Sequence, residues 1–90
     1  MYYVYMITNK SNTVLYTWMT NNLERRIYEH KNKVIQWFAA KYNVYKLVYF
    51  EEYSDVKDAI IREKQLKKWR RTWKNKIIEE NNPCWNEIIL

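Results

Sequence analysis

Apolar and polar residues alternate over two short segments near the amino terminus. Residues 2–8 and 14–20 are rich in Tyr, Val, Ile, Leu and Thr, and the polar residues 9–12 lie between them. Runs of β-branched and aromatic residues on either side of turn-forming residues are typical of a β-hairpin. The pattern therefore predicts two antiparallel strands joined by a short polar loop.

The loop length sets the expected register of this hairpin. If Thr8 and Thr13 close the loop, two pairs of aromatic residues lie opposite each other. These pairs are Tyr5 with Tyr16 and Tyr3 with Trp18. Because side chains alternate along a strand with a period of two, all four rings share one face, and Val4, Met6, Leu15, Thr17 and Met19 take the other.

A helical spacing of apolar residues follows the hairpin. Asn21 or Asn22 is a suitable N-cap, and the helix is expected to continue to about His30. The apolar stripe consists of Leu23, Ile27 and Tyr28. Arg26 and His30 are four residues apart and so lie on the same face of this helix, whereas Arg25 is turned toward solvent.

The remaining pattern predicts one more strand and two more helical stretches. Residues 44–51 have strand composition, with Tyr45, Leu47 and Tyr49 on one face and Lys46, Val48 and Phe50 on the other. Ser54 is the expected N-cap of a second helix. Its inward positions are Val56, Ala59, Ile60, Glu63 and Leu66. The run of residues 67–74 is followed by Ile77 and Ile78, so helical character is expected to resume before the sequence Asn81-Asn82-Pro83 stops it.

These elements predict an α+β fold, a small three-stranded mainly antiparallel sheet flanked by helices. Ninety residues are enough for one modest core, so residues 1–90 are expected to form a single domain. The chain has no glycine, which implies that asparagine supplies the turns that need a positive φ angle.

The net charge indicates the kind of binding partner, and the cysteine content indicates the cellular compartment. The formal net charge of +6 favours a polyanionic partner, with nucleic acid first and an anionic membrane surface second, although it also fits simple solubility. Cys84 is the only cysteine, which excludes an intramolecular disulfide and is consistent with a reducing, cytoplasmic location. No apolar run approaches the length of a membrane span, and the first residues do not resemble a secretion signal.

A basic segment interleaved with tryptophan follows the second helix. Its candidate phosphate-binding residues are Lys67, Lys68, Arg70, Arg71 and Lys74. Trp69 and Trp73 could stack on bases between these cations. Being four residues apart, the two tryptophans could equally form one buried helical face with the lysines in solvent.

Several residues carry candidate chemistry, each with a structural alternative. A phenol such as Tyr5 or Tyr16 can position or deprotonate a water, but aromatic pairs also stabilise hairpins. Arg26 can bind phosphate oxygens or form a surface ion pair. A carboxylate at Glu63, in an otherwise apolar stripe, suits a Mg²⁺ ion shared with substrate, or it lies at the solvated edge of the stripe.

Taken in order, these residues resemble the GIY-YIG nuclease superfamily. The likeness is carried by Tyr3-Val4-Tyr5, Leu15-Tyr16-Thr17-Trp18, Leu23-Glu24-Arg25-Arg26, His30, Glu63 and Asn82-Pro83. It spans nearly the whole chain and is closest to the small single-domain bacterial branch, which is similar to the nuclease domain of the excision-repair endonuclease subunit UvrC.

The resemblance implies metal-dependent hydrolysis of phosphodiester bonds in DNA, with one Mg²⁺ or Mn²⁺ ion bound together with substrate. It implies that Tyr5 and Tyr16 are the motif tyrosines and that Arg26 is the arginine that stabilises the phosphate. It further implies that His30 is an auxiliary catalytic residue and that Glu63 is the metal ligand. Asn82 and Tyr3 are expected to support the site.

The chain departs from the family pattern at two glycine positions, which are occupied by Trp18 and Trp37. An indole is large enough to fill space that substrate would need, so Trp18 is expected to impair cleavage. Two alternatives to a nuclease follow. One is a nucleic-acid-binding domain without catalysis, and the other is an engineered or drifted scaffold with an aromatic pocket between Trp18 and Trp37.

Overall fold

A three-stranded antiparallel sheet carries the helices of the described part of the chain. The computed structural model describes residues 1–32 and 42–90. The elements are β1 (Tyr2–Thr8), β2 (Leu15–Thr20), α1 (Leu23–Lys31), β3 (Lys46–Tyr53), α2 (Val56–Lys68) and α3 (Arg71–Asn81). The strand order is β2-β1-β3, and both pairings are antiparallel. This arrangement confirms the expected α+β class.

The hairpin register differs from the expected one by two residues. Tyr5 lies opposite Trp18, and Tyr3 lies opposite Thr20. The predicted pairs Tyr5 with Tyr16 and Tyr3 with Trp18 are therefore wrong. Because the shift is an even number of residues, the aromatic side chains still share the predicted face of the sheet.

The loop side chain of Asn9 explains the shift. Its Oδ1 accepts hydrogen bonds from the backbone N–H groups of Thr13 at 2.9 Å and Val14 at 3.1 Å. Those two residues thus belong to the loop, and pairing begins with Thr8 opposite Leu15. Thr13, predicted to close the turn, and Val14, predicted to lie in the strand, are both part of the loop.

Each face of the sheet packs against different helices. One buried cluster joins the sheet to α2 and α3, and consists of Val4, Met6, Val48, Ala59, Leu66, Ile78 and Trp85. The other joins it to α1, and consists of Tyr5, Ile7, Leu23, Ile27, Val44 and Leu47. The buried residues of β1 contribute to both clusters, as expected for the central strand of a sheet covered on two sides.

A bulge in β3 changes the predicted faces of that strand. Tyr49 lies opposite Met6, but Leu47 lies opposite Ile7, so Val48 is an extra residue. Val48 and Tyr49 consequently pack on the α2 side, and Phe50 packs on the α1 side with Leu47. The predicted grouping of Tyr49 with Leu47, and of Phe50 with Val48, is wrong because strict alternation ends at the bulge.

Side-chain caps mark where α1 and α2 begin. Asn22 is the N-cap of α1, and its side chain accepts a hydrogen bond from the Arg25 N–H at 3.1 Å. The cap of α2 is Asp55 and not Ser54, since the Asp55 carboxylate accepts from the Lys57 N–H at 2.8 Å.

The buried face of α2 is narrower than the apolar pattern predicted. Ala59 and Leu66 are fully buried, whereas Val56 and Ile60 are more than one-third exposed. The inward assignment of Val56 and Ile60 is therefore wrong. A small sheet offers too little surface to cover a wide stripe along the whole helix.

A partly buried ion pair joins α2 to β3. Both oxygens of Glu51 accept hydrogen bonds from Arg62, at 2.9 Å and 3.0 Å, and the hydroxyls of Tyr49 and Tyr53 also donate to this carboxylate. Burial alone would raise the pKa of Glu51, but the hydrogen bonds from Arg62 and the two tyrosines outweigh it, and the pKa is lowered. The ion pair fixes the helix at the residue next to Glu63.

Positive φ angles occur where the chain turns without glycine. Two of the three described cases are asparagines, Asn12 at 59° and Asn43 at 55°, as expected. The third is Trp85 at 54°, an uncommon conformation for an aromatic residue. Trp85 is buried, and its indole N–H donates to Glu79 at 2.9 Å, so packing holds the backbone in this conformation.

In the described residues, none of the helices has the length and apolar character needed to cross a bilayer.

Candidate active site

A tyrosine and a histidine form a buried pair between β1 and α1. The Tyr5 hydroxyl lies 3.0 Å from His30 Nε2, and both residues are almost completely buried. Burial and, to a smaller extent, the charge of Arg26 lower the pKa of His30 to about 4, against an opposing effect of Glu29. His30 is therefore a neutral imidazole at neutral pH. Its buried Nδ1 has no hydrogen-bond partner in the described part of the chain.

The two motif tyrosines differ in accessibility. Burial raises the pKa of Tyr5 far above its ordinary value, although the nearby charge of Arg26 acts in the opposite direction. Burial, followed by the charge of Glu63, also raises the pKa of Tyr16. Both phenols are therefore protonated in the free protein. Tyr16 is only partly buried, whereas Tyr5 has no exposed surface, so Tyr16 is the phenol that a ligand can reach.

An ion pair on α1 holds the candidate phosphate-binding arginine. Arg26 Nε lies 3.6 Å from a carboxylate oxygen of Glu29, and the Arg26 side chain remains 35% exposed. Arg25 also pairs with Glu29 at 3.6 Å but is 74% exposed, which confirms its solvated position. Sequence reasoning missed Glu29, because a glutamate three residues after an arginine on a helix ordinarily indicates a surface ion pair. Here that glutamate also acts on the pKa values of Tyr5 and His30.

Glu63 reaches the same site from α2. Its side chain is 13% exposed and lies 3.8 Å from the ammonium of Lys67. Its charge raises the pKa of both Tyr5 and Tyr16. Its ion-pair partner Lys67 also contacts the ring of Trp18, which stacks on Tyr16. The fold thus brings together five side chains predicted from the sequence: Tyr5, Tyr16, Arg26, His30 and Glu63.

Trp18 lies inside this cluster. Its ring stacks on Tyr16, with centroids 5.8 Å apart and an interplanar angle of 21°. The ammonium of Lys67 lies 3.8 Å from the centre of the Trp18 ring, a cation–π contact. The corrected register puts Trp18 opposite Tyr5, closer to the buried tyrosine than expected. Trp37, the other departure from the motif, lies outside the described residues.

The two residues expected to support the site have different positions. Tyr3 lies on the same side of the sheet as Tyr5 and makes an edge-to-face contact with Phe50. The Asn82 amide instead donates to the backbone oxygens of Val48 at 3.1 Å and Asn86 at 2.8 Å. Asn82 therefore ties the carboxyl-terminal segment to β3.

The basic segment divides into anchored and exposed cations. Arg71 donates to the backbone oxygens of Asn12 at 2.7 Å and Thr13 at 3.2 Å, which joins α3 to the hairpin loop. Burial lowers the pKa of Lys74, and the charges of Arg71 and Lys67 add to the effect. Lys68 and Arg70 are exposed.

The sequence left open whether Trp69 and Trp73 are exposed for base stacking or buried on one helical face, and the structure shows one of each. Trp69 is partly buried and packs against the core, as a structural residue would. Trp73 is 56% exposed, as a stacking residue would be.

The side chains of the site fit a divalent cation that is shared with substrate. Glu63 supplies one carboxylate, and the described residues contain no cluster of three or more metal-binding side chains. Mg²⁺ is commonly bound by one or two carboxylates, with water and substrate phosphate oxygens completing its shell. A single carboxylate beside phosphate-binding groups meets that requirement.

Comparisons with known proteins identify the family. The model of the GIY-YIG catalytic domain matches residues 1–77, and the chain belongs to this family. A UPF0213 protein of Clostridium perfringens is 38% identical over 82 residues, which cover 91% of this chain and 87% of the relative. A UPF0213 protein of Staphylococcus haemolyticus is 37% identical over 79 residues, or 88% of this chain and 95% of that protein.

A solved structure has the same fold. The solution NMR structure of a UPF0213 protein from Bacillus halodurans matches with a TM-score of 0.60 and 22% identity, and the match covers 94% of this chain and 90% of that one. GIY-YIG nucleases act on nucleic acid and generally depend on a divalent metal.

Proposed function

We propose that this protein is a metal-dependent endonuclease that hydrolyses phosphodiester bonds in DNA. The observation that carries the proposal is the convergence of Tyr5, Tyr16, Arg26, His30 and Glu63 from four separate elements. Membership of the GIY-YIG catalytic domain family supports the same reaction. Its single exposed cysteine, Cys84, suits a reducing compartment such as the cytoplasm.

The accessibility of each side chain suggests its role. The guanidinium of Arg26, whose side chain is partly exposed, can hold phosphate oxygens and stabilise the charge that grows on them during hydrolysis. Tyr16 is the accessible phenol and can orient the attacking water by hydrogen bonding. Tyr5 and His30 lie behind these groups as a neutral pair, in which the His30 ring can accept a hydrogen bond from the Tyr5 hydroxyl.

The metal ligand in this proposal is Glu63. A bound Mg²⁺ or Mn²⁺ would supply Lewis-acid stabilisation of the phosphate charge. Lys67 neutralises Glu63 in the free protein, which lowers the cost of keeping a mostly buried carboxylate charged.

Cleavage assays on matched variants test the nuclease proposal. Trp18→Gly removes the indole that stacks on Tyr16, and we expect it to cleave supercoiled DNA with Mg²⁺ or Mn²⁺ faster than the unaltered chain. The control is the double variant Trp18→Gly with Arg26→Ala, which should lose that cleavage by at least about a hundredfold. Cleavage that survives the loss of Arg26 in a purified sample comes from a contaminant, and absence of cleavage by the Trp18→Gly variant refutes the proposal.

A metal-binding measurement tests Glu63 separately. Glu63→Ala should weaken Mn²⁺ binding in the presence of a non-cleavable oligonucleotide while the melting temperature changes little, because the side chain lies beside the core clusters and not within them. A large drop in melting temperature with unchanged Mn²⁺ binding would instead make Glu63 a structural residue.

A nucleic-acid-binding domain without catalysis is the second candidate. One observation favours it: Trp18 stacks on Tyr16, and Lys67 contacts both Trp18 and Glu63, so the accessible phenol and the carboxylate are already engaged. This candidate predicts salt-sensitive DNA binding with no cleavage by either the unaltered chain or Trp18→Gly.

A further inference from the structure

Basic residues are densest in one segment of the chain. Residues 64–76, here called the basic corner, contain seven Lys and Arg residues and no Asp or Glu. All other positions together have nine Lys and Arg residues against ten Asp and Glu residues. The basic corner includes the end of α2, the break after it and the first half of α3. This density of cations attracts a polyanion to the basic corner.

Trp73 stands out among the tryptophans in the described residues. Trp85 is buried, Trp69 packs on the core, and the Trp18 ring contacts Tyr16 and Lys67. Trp73 is 56% exposed, and it meets Trp69 edge to face at 6.0 Å and 86°. The contact with Trp69 fixes the orientation of Trp73 and leaves more than half of its surface to solvent.

A shallow groove of about 420 Å³ lies along α3 beside this ring. Its lining consists of Trp69, Trp73, Lys76, Ile77 and Glu80. It combines two indoles with an ammonium group from the basic corner. An aromatic platform next to cations is the arrangement by which proteins bind unpaired bases, since every base has a face that can stack.

We propose that an unpaired nucleobase stacks on Trp73 in this groove while the adjoining phosphates contact cations of the basic corner. Bases inside a duplex are already stacked and cannot reach the ring without being extruded. The surface therefore selects nucleic acid with a single-stranded segment. As a description of the nuclease substrate this rests on the proposed function, but the binding itself does not require cleavage.

Fluorescence anisotropy tests the binding directly. The probes are a labelled DNA strand of about 15 nucleotides and the blunt duplex formed from the same sequence. Measurements in EDTA prevent metal-dependent cleavage. We expect Trp73→Ala to bind the single strand about tenfold more weakly, and Trp73→Phe to retain most of the affinity because its ring can still stack. Affinity for the duplex should change by less than about twofold, since phosphate contacts dominate there.

A control substitution at Thr72 and a measurement of the oligomeric state complete the test. Thr72→Ala alters an exposed residue next to Trp73 and should leave both affinities unchanged. Equal loss of single-strand and duplex binding, or no loss of either, overturns the proposal. So does a monomer–dimer equilibrium that Trp73→Ala abolishes in sedimentation velocity, because the groove would then bind a second copy of the chain. Loss of cleavage with intact selective binding refutes only the nuclease.

Discussion

At the scale of single residues, burial decides the charge state of the candidate site. Tyr5 and His30 are both neutral because the low-dielectric interior disfavours their charged forms. His30 is the only histidine in the chain, so its titration can be observed without overlap.

We expect the His30 imidazole to titrate near pH 4 in the folded protein, measured by NMR from the ring proton shifts. The unfolded chain takes up this proton near the ordinary pKa of 6.5. The unfolded state therefore binds more protons between these values, and folding stability falls as the pH decreases from about 6.5 toward 4. The loss should be on the order of 3 kcal/mol, measured by urea denaturation.

The variant His30→Gln provides the control for the pH dependence. It keeps a polar group in the pocket but does not titrate, so its stability should depend less on pH across this window. Titration of the native ring near 6.5 would contradict the buried arrangement.

The individual site residues were largely predictable, but their partners were not. Arg26, His30 and Glu63 were assigned by resemblance to the family motif, and helical spacing placed Arg26 and His30 on one face. The contact of Lys67 with Trp18 joins α2 to β2, which no local pattern indicates. Local periodicity shows which side chains share an element, whereas contacts between elements depend on how the elements pack.

At the scale of elements, side-chain hydrogen bonds in a loop set the hairpin register. Besides accepting from two backbone N–H groups, Asn9 donates from Nδ2 to Thr13 Oγ1 at 2.7 Å. Polar side chains that satisfy loop backbone groups replace the tight turn that a glycine-containing hairpin would use.

Asn9→Ala should destabilise the protein by about 1–2 kcal/mol, because the loop N–H groups lose their acceptor. The expected result is a lower midpoint in urea denaturation with an unchanged slope. Lys10→Ala, at an exposed position in the same loop, should change stability by less than about 0.5 kcal/mol. Equal effects of the two substitutions would show that the Asn9 bonds do not matter.

The order and type of the elements were accessible to sequence reasoning, but the register of β2 and the faces of β3 were not. Turn composition indicated a hairpin without showing that Thr13 and Val14 are used by the loop. The bulge at Val48 shifts the register between β1 and β3. It therefore depends on the pairing of two strands that are about forty residues apart in the chain.

At the scale of the whole molecule, the carboxyl-terminal segment completes the core. It follows α3 and lies beyond the residues matched by the family model. Trp85 joins the cluster on the α2 side, and the Ile88 N–H donates to the Leu47 oxygen at 2.8 Å.

Trp85→Ala should lower the free energy of unfolding by about 3–5 kcal/mol, since it empties a large buried site. The substitution does not relieve the positive φ angle, because alanine keeps the Cβ atom that disfavours this conformation. The matched control is Ile89→Ala, an apolar truncation at a position that is 78% exposed, which should have little effect. Similar midpoints for the two variants in urea denaturation would show that the segment does not support the core.

The sequence by itself determined the elements, the fold class and the residues that form the candidate site, because each depends on short-range periodicity, capping and side-chain chemistry. Only the tertiary structure placed Trp18 between Tyr16 and Lys67, paired Glu63 with Lys67 and left Trp73 exposed while Trp69 packs on the core. These outcomes depend on how a helix of fixed length lies across a three-stranded sheet. Packing geometry, and not local preference, decides which surface of each side chain remains available to a ligand.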